Sequence, residues 1–125
     1  MTATQNHKMM EKIICFLQKT DMFTMVNIYT NGHRYSSDNY PEKEDAIVCK
    51  TKYGEYYDMG ECDVEKIVEY ANKNTITMTF EGPLYYDYNG YSEHSHHSYD
   101  KLNQIAEPYG LYAEQGYAWS LAFYK

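Results

Sequence analysis

Asn31-Gly32 separates two strand-like segments of this 125-residue chain and is its strongest short-range structural signal. Both residues tolerate the positive φ that a two-residue hairpin turn requires. Phe23 to Tyr29 alternates, with Val26 and Ile28 separated by Asn27, which predicts a strand, and His33 to Ser37 is the predicted return strand. A chain that turns back this tightly favours an antiparallel sheet.

The hairpin pattern recurs further along the chain. Ala46 to Thr51 and Glu55 to Met59 flank a predicted turn at Tyr53-Gly54. Alternation is clearest in Thr75 to Phe80, where the threonines face one way and the apolar side chains the other. That alternation is typical of an antiparallel sheet with one face in water.

Two later segments also favour strands. Leu84 to Tyr88 follows the Gly82-Pro83 break and is interpreted as another short strand. The C-terminal segment, Leu111 to Tyr124, is strand-like around Gly116, which predicts either a bulge or a hairpin turn there.

Apolar side chains recur at helical spacing in three places. Residues 5–19 carry one amphipathic stripe, a second follows Asp63 to about residue 71, and a third follows Ser98 to about residue 106. Asp63 and Ser98 are suitable N-cap residues. We therefore predict one α+β domain over residues 1–125, with an antiparallel sheet built of hairpins and about three helices packed on one face.

Tyrosine dominates the aromatic content, with sixteen tyrosines against four phenylalanines and one tryptophan. Tyrosine buries a large ring and keeps a hydroxyl that needs a partner, so it suits protein interfaces. The densest group predicts a protein-binding patch formed by Tyr85, Tyr86, Asp87, Tyr88 and Tyr91. Packing of the same tyrosines over a thin sheet is the alternative interpretation.

The charge is acidic, with eleven basic and eighteen acidic residues and a formal net charge of −7. Arg34 is the single arginine, so the chain has only one guanidinium group of the kind that recognises phosphates and guanine bases. Nucleic acid is therefore not expected to bind directly. An acidic surface promotes solubility, or it docks onto a basic protein groove. Glu42, Glu44 and Asp45 form the acidic group that we predict to contact a partner, with Glu61 and Asp63 as further candidates.

The three cysteines are widely spaced and unpaired by motif, as expected of free thiols in a reducing compartment. The first residues lack the architecture of a signal peptide, and the early apolar run is too short to cross a bilayer. We expect a cytoplasmic protein that does not associate with membranes.

Catalytic motifs give weak signals. Segment 94–97 is the one cluster with metal-ligand character, and its weak candidate ligands are His94, His96, His97 and Asp100. A metal-dependent hydrolase or nuclease centred there is the alternative function. No serine elbow, glycine-rich phosphate loop or stand-out carboxylate pair occurs in the sequence, so we predict no cofactor, no catalytic residue and no enzyme.

Three stretches carry a resemblance to known proteins: residues 24–32, residues 77–85, and Tyr109 to Tyr112 together with Gly116 to Leu121. They resemble those of short proteins carried by conjugative elements and prophages of gut Firmicutes, a group that includes anti-CRISPR and anti-restriction proteins. The resemblance implies a small, acidic, non-enzymatic protein from a mobile genetic element. It assigns no residue a role.

These observations favour a protein-binding inhibitor that acts by direct contact with a host defence protein, such as a CRISPR effector nuclease. Acidic side chains would occupy a basic surface, and tyrosines would supply the desolvated contacts. A third possibility is a structural homo-oligomer, with a homodimer formed through an exposed terminal strand around Trp119.

Overall fold

The computed structural model describes residues 1–39 and 44–125 of the chain. Within these ranges, seven strands form one antiparallel sheet with the spatial order β3-β4-β2-β1-β5-β7-β6. The strands are β1 (Val26–Thr30), β2 (His33–Ser36), β3 (Ile47–Thr51), β4 (Gly54–Glu61), β5 (Thr77–Phe80), β6 (Tyr112–Gln115) and β7 (Ser120–Tyr124).

Three α-helices in the described ranges form a layer on one face of this sheet. They are α1 (Ala3–Lys19), α2 (Gly82–Tyr88) and α3 (Ser98–Ala106). α1 contacts β1 and β3, α3 contacts β6 and α1, and α2 contacts α3. The predicted α+β class, with an antiparallel sheet and helices on one face, is confirmed. None of the described helices is long and apolar enough to cross a membrane.

The core lies between the helices and one face of the sheet. Ile28 in β1 pairs with Tyr35 in β2 and with Met78 in β5, and Met78 pairs with Leu121 in β7. All four are buried, together with the apolar stripe of α1. Burial of this continuous apolar surface is the main stabilising contribution to the fold.

The three predicted hairpin turns are present, and the β3–β4 turn lies at Lys52-Tyr53, one residue before its predicted position. Asn31 and Gly32 have φ values of 53° and 73°, so the β1–β2 turn uses the left-handed conformations that its sequence tolerates. Around Gly116 the chain forms a hairpin between β6 and β7, which decides between the two predicted alternatives. Trp119 lies in the β6–β7 turn, so the prediction of a strand around Trp119 is wrong, while the homodimer stays a prediction.

The predicted strand Leu84 to Tyr88 is wrong, because residues 82–88 form α2. Pro83 occupies the first turn of the helix, where its missing N–H costs nothing. Leu84 and Tyr88 are four residues apart, so both lie on the buried side of the helix. The tyrosines suggested a strand by their propensity, but the Gly-Pro start and this spacing were the better signals.

The predicted helix after Asp63 is also wrong, since only a 3₁₀ turn forms, over Val64–Lys66. Asp63 does cap this turn by accepting a hydrogen bond from the Glu65 N–H. The following residues are β-branched, which lowers helix propensity, and Tyr70 adopts a positive φ that cannot continue a helix. The segment therefore crosses the sheet in an irregular conformation.

Candidate functional site

Residues 62–76 cover part of the sheet face that points away from the helices, which we call the outer face. Val64 and Val68 pack on Tyr29 and form a second, small apolar cluster there. The Asn72 N–H donates to Thr77 Oγ1 at 2.9 Å, and the Asn72 amide donates to the Phe123 carbonyl at 2.8 Å. Thr77, which is predicted to face water, is therefore buried beneath this segment, whereas Thr79 is half-buried.

A cleft of about 250 Å³ opens on the outer face beside this segment. Its apolar lining includes Met25, Ile67 and Trp119, and Glu81 also lines it. Asn27 and Thr79, which are paired across β1 and β5, contribute polar side chains to the same cleft. Met25 and Ile67 are 51% and 59% exposed, so the cleft has apolar walls that no part of the described chain covers.

An aromatic group continues the apolar surface on one side of the cleft. Tyr117 stacks on Trp119 with ring centroids 5.1 Å apart and planes 12° apart, and Tyr70 lies 5.6 Å from Tyr117. The Tyr117 hydroxyl donates to the Glu69 carboxylate, and this hydrogen bond raises the pKa of Tyr117. Gly116 permits the approach of Tyr70, because a Cβ at Gly116 would lie 3.1 Å from the Tyr70 ring.

Two residues of this surface have strained backbones. Met25 and Tyr70 have φ values of 58° and 61°, which are rare for bulky side chains. The Met25 N–H donates to the Asp38 carboxylate at 3.2 Å, and the Met25 carbonyl accepts from the Glu81 N–H at 3.0 Å. The Tyr124 hydroxyl donates to the Tyr70 carbonyl at 2.8 Å. These hydrogen bonds fix the backbone at Met25 and Tyr70, whose large side chains are exposed to solvent.

Exposed carboxylates lie beside the cleft and along the segment that carries Ile67 and Tyr70. Exposed acidic side chains in segment 61–69 and before α2 are Glu61, Asp63, Glu65, Glu69 and Glu81. Lys73 lies 3.3 Å from Glu65, and Lys66 lies 4.0 Å from Asp63. A larger open cavity of about 610 Å³ lies next to Glu61, Asp63 and Glu65. We call Met25, Ile67, Tyr70, Tyr117, Trp119 and these five carboxylates the outer-face surface.

The predicted tyrosine patch is split between surface and interior. Tyr86 and Tyr91 are exposed and Tyr85 is half-buried, but Asp87 and Tyr88 are buried. Alternate residues of a strand share one face, but residues 82–88 form a helix, so Tyr86 and Tyr88 lie on different sides. A binding role for Tyr85, Tyr86 and Tyr91 stays a prediction, while Asp87 and Tyr88 have little surface for a partner.

Asp87 has a structural task instead. Its carboxylate accepts the backbone N–H groups of His96 at 2.6 Å and Ser98 at 3.0 Å. Burial by itself would raise the pKa of Asp87, but the hydrogen bonds from His96 and Ser98 lower it below the ordinary value. Asp87 thus supplies the cap predicted for Ser98, which is the first residue of α3 and not its N-cap.

The predicted acidic contact group is placed only in part. Glu42 lies outside the described residues. Glu44 and Asp45 are exposed and precede β3, the edge strand that lies farthest from β6 in the sheet order. The roles of Glu44 and Asp45 stay predictions.

Tyr86, from the predicted tyrosine patch, lines a groove with Lys19 and Thr20 at the C-terminal end of α1.

The histidine segment does not assemble a metal site. His94 and His96 line the same groove of about 600 Å³ as Tyr86, whereas His97 has a φ of 54° and is the N-cap residue of α3. Within residues 1–39 and 44–125, no group of three or more His, Cys, Asp or Glu side chains is arranged to hold a metal ion. Asp100 is exposed in the first turn of α3.

A polar cluster that the sequence did not reveal lies between α1 and the β2–β4 part of the sheet. His33 Nδ1 lies 2.9 Å from Asp58, and the Tyr56 hydroxyl donates to Glu11 at 3.4 Å. Burial first, and then the Glu11 charge, raise the pKa of Tyr56 strongly. A phenol with a raised pKa is a poor base or nucleophile, so this cluster is suited to a structural role.

The cysteines are free and half-buried. Burial raises the pKa of both Cys49 and Cys62, which opposes thiolate formation. This chemistry favours a structural role for both thiols over a nucleophilic one.

No family model matches this chain, and no curated protein or solved structure shows significant similarity to it.

Proposed function

We propose that this chain is a protein-binding inhibitor and that the outer-face surface is its contact region. The observation that carries the proposal is the contiguous exposure of Met25, Ile67, Tyr70, Tyr117 and Trp119. Tryptophan and tyrosine are the residue types most enriched at the energetic centres of interfaces. A rim of charged residues around an apolar centre is the usual anatomy of such a contact.

The rim charges indicate the kind of partner. Glu61, Asp63 and Glu69 are exposed on one segment, and the whole chain carries a net charge of −7. A partner with a basic groove would be attracted over the Debye length of about 8–10 Å and would orient on the carboxylates. Such grooves accept nucleic acid, so carboxylates that occupy one would exclude the phosphates of the natural ligand.

The choice among basic partners rests on the sequence resemblance to proteins of conjugative elements and prophages. We propose a host defence protein, such as a CRISPR effector nuclease or a restriction enzyme, inhibited in the cytoplasm of the host cell. The carrier would be a mobile genetic element. In this mechanism the chain needs no catalytic group, because occupancy of the groove is sufficient for inhibition.

The test uses purified effector nucleases and restriction enzymes, with cleavage of a DNA substrate as the readout. A variant with Glu61→Lys, Asp63→Lys and Glu69→Lys should lose inhibition, and the wild-type affinity should fall as salt rises. Glu107→Lys changes an exposed charge at the end of α3, away from the outer face, and should inhibit like wild type. Inhibition that is indifferent to both salt and charge reversal would contradict the proposed surface.

A further inference from the structure

We propose that the cleft on the outer face receives a single arginine or lysine side chain of the partner, and that Glu81 pairs with its charge. The proposal rests on the proposed function and adds the chemistry of the central contact. It is carried by the joint presence of three apolar walls and one carboxylate in a small open cleft.

The size of the cleft selects a side chain over a free ligand. Its volume of about 250 Å³ lies below the ~300–1,000 Å³ of pockets for drug-sized ligands. Arginine and lysine carry long aliphatic stems that gain from apolar contact while the charged end stays polar. Met25, Ile67 and Trp119 offer walls for such a stem.

The carboxylate that lines the cleft, Glu81, disfavours acidic and wholly apolar side chains. Glu81 is exposed and makes no capping hydrogen bond to α2, so its carboxylate is available to a partner. An acidic side chain would be repelled by Glu81, and a wholly apolar one would desolvate Glu81 without pairing it. Arg34, the nearby basic residue of β2, donates to Asn27 at 3.2 Å and does not line the cleft.

Trp119 adds an attraction specific to cations. Tryptophan is the aromatic residue with the strongest cation–π interaction, and stacking on Tyr117 fixes the orientation of its ring. An arginine guanidinium can stack on such a ring and also form hydrogen bonds with a carboxylate. Arginine is therefore expected to bind more tightly than lysine.

One wall and the carboxylate are linked through the backbone. The Glu81 N–H donates to the Met25 carbonyl at 3.0 Å, and Met25 is held in a left-handed conformation by Asp38. Strained backbone of this kind concentrates at ligand-binding positions, where the surrounding structure fixes it. Pre-organised walls reduce the ordering cost of binding.

Trp119 is the single tryptophan, so its fluorescence reports directly on the cleft. The probe is a short peptide of alternating arginine and glycine, and its control is the same peptide with neutral, isosteric citrulline in place of arginine. We expect a saturable change in emission with the arginine peptide, and binding of the citrulline peptide weaker by about tenfold, the factor that corresponds to ~1.4 kcal/mol. Glu81→Gln should remove most of this difference, and Glu107→Gln should preserve it.

Equal binding of the two peptides, or an unchanged preference in Glu81→Gln, would overturn the proposal. Circular dichroism of Glu81→Gln shows whether the variant is folded. The nuclease assay separates the two proposals: if Glu81→Gln inhibits like wild type, the cleft is not the central contact but the inhibitor function stands. If the arginine peptide binds and no nuclease is inhibited, the cleft inference stands and the inhibitor function fails.

Discussion

At the scale of single residues, Met25 and Tyr70 stand out because they combine strain with exposure. A non-glycine residue in the left-handed region costs about 1–2 kcal/mol. Burial of the side chain does not compensate for this cost, since Met25 is 51% and Tyr70 is 65% exposed. Because burial does not account for these strained residues, their strain supports the proposal that they belong to a contact surface.

Substitution of Met25 by asparagine should separate stability from binding. Asparagine tolerates the left-handed conformation, so relief of strain should offset the lost apolar contact, and the free energy of unfolding should change by less than about 1 kcal/mol. If the proposed function holds, inhibition of the target nuclease should fall, because the cleft loses an apolar wall. Urea titration and the cleavage assay measure the two effects.

Met25→Leu is the matched control. It retains both the apolar wall and the strain, so binding and stability should stay close to those of wild type. A large loss of stability in Met25→Asn, with little change in Met25→Leu, would show that Met25 is retained for packing and not for contact.

At the scale of elements, Asp87 joins α2 to the start of α3. The helix that carries Asp87 is predicted as a strand from the sequence. The N–H groups that donate to the Asp87 carboxylate belong to His96 and Ser98, nine and eleven residues later. Capping by a carboxylate from another element satisfies the free N–H groups of a helix start as well as a local side chain would. Sequence inspection finds local caps and misses this kind.

Replacement of Asp87 by asparagine should destabilise the protein in a pH-dependent way. The folded-state pKa is lowered, so the contribution of the carboxylate is fully present above its unfolded pKa of about 3.9. It is lost as pH falls through the lower, folded value. We expect a cost of about 1–3 kcal/mol at pH 7 by urea unfolding, and a smaller difference from wild type at acidic pH.

Asp100→Asn provides the comparison, because Asp100 is exposed in the first turn of the same helix. It should cost no more than about 1 kcal/mol, as expected for the interaction of a surface charge with a helix terminus. Equal costs for the two variants would contradict the assigned role of the buried carboxylate.

The elements defined by local signals were predicted well. Asn31-Gly32 fixes its hairpin, and α1 has its stripe and a capping box of Thr2 with Gln5. The segments after Asp63 and after Pro83 were assigned to the wrong class. In both, side-chain propensity and spacing disagreed, and contact with the rest of the fold decided the conformation.

At the scale of the whole molecule, Asn6 connects distant parts of the chain. Its buried side-chain amide donates to the Asn31 side chain and to the Asn74 carbonyl, each at 3.2 Å. Asn31 in turn donates to the Ala3 carbonyl at 2.9 Å. One side chain therefore ties α1, the β1–β2 turn and the approach to β5 together.

Asn6→Ala should lower the free energy of unfolding by about 1 kcal/mol in urea titration. Loss of partners for buried groups costs up to about 3 kcal/mol, but Asn31 and Asn74 are exposed and water can replace the lost donor. Thr4→Ala, at an exposed position of the same helical turn, should change stability by less than about 0.5 kcal/mol. Indistinguishable variants would mean that the Asn6 contacts do not contribute.

The sequence by itself determined the strands with tight turns, the amphipathic first helix, the acidic charge and the α+β class. Each of these depends on composition or on the pattern of residues that are close along the chain. Only the tertiary structure decided the outer-face surface. Met25, Ile67 and Trp119 are separated by some forty to fifty residues at each step along the sequence. The pairing of β1, β5 and β7 brings Met25 and Trp119 to one cleft, and the packing of Val64 and Val68 on Tyr29 adds Ile67. No local pattern encodes that arrangement, because it follows from the order of strands in the completed sheet.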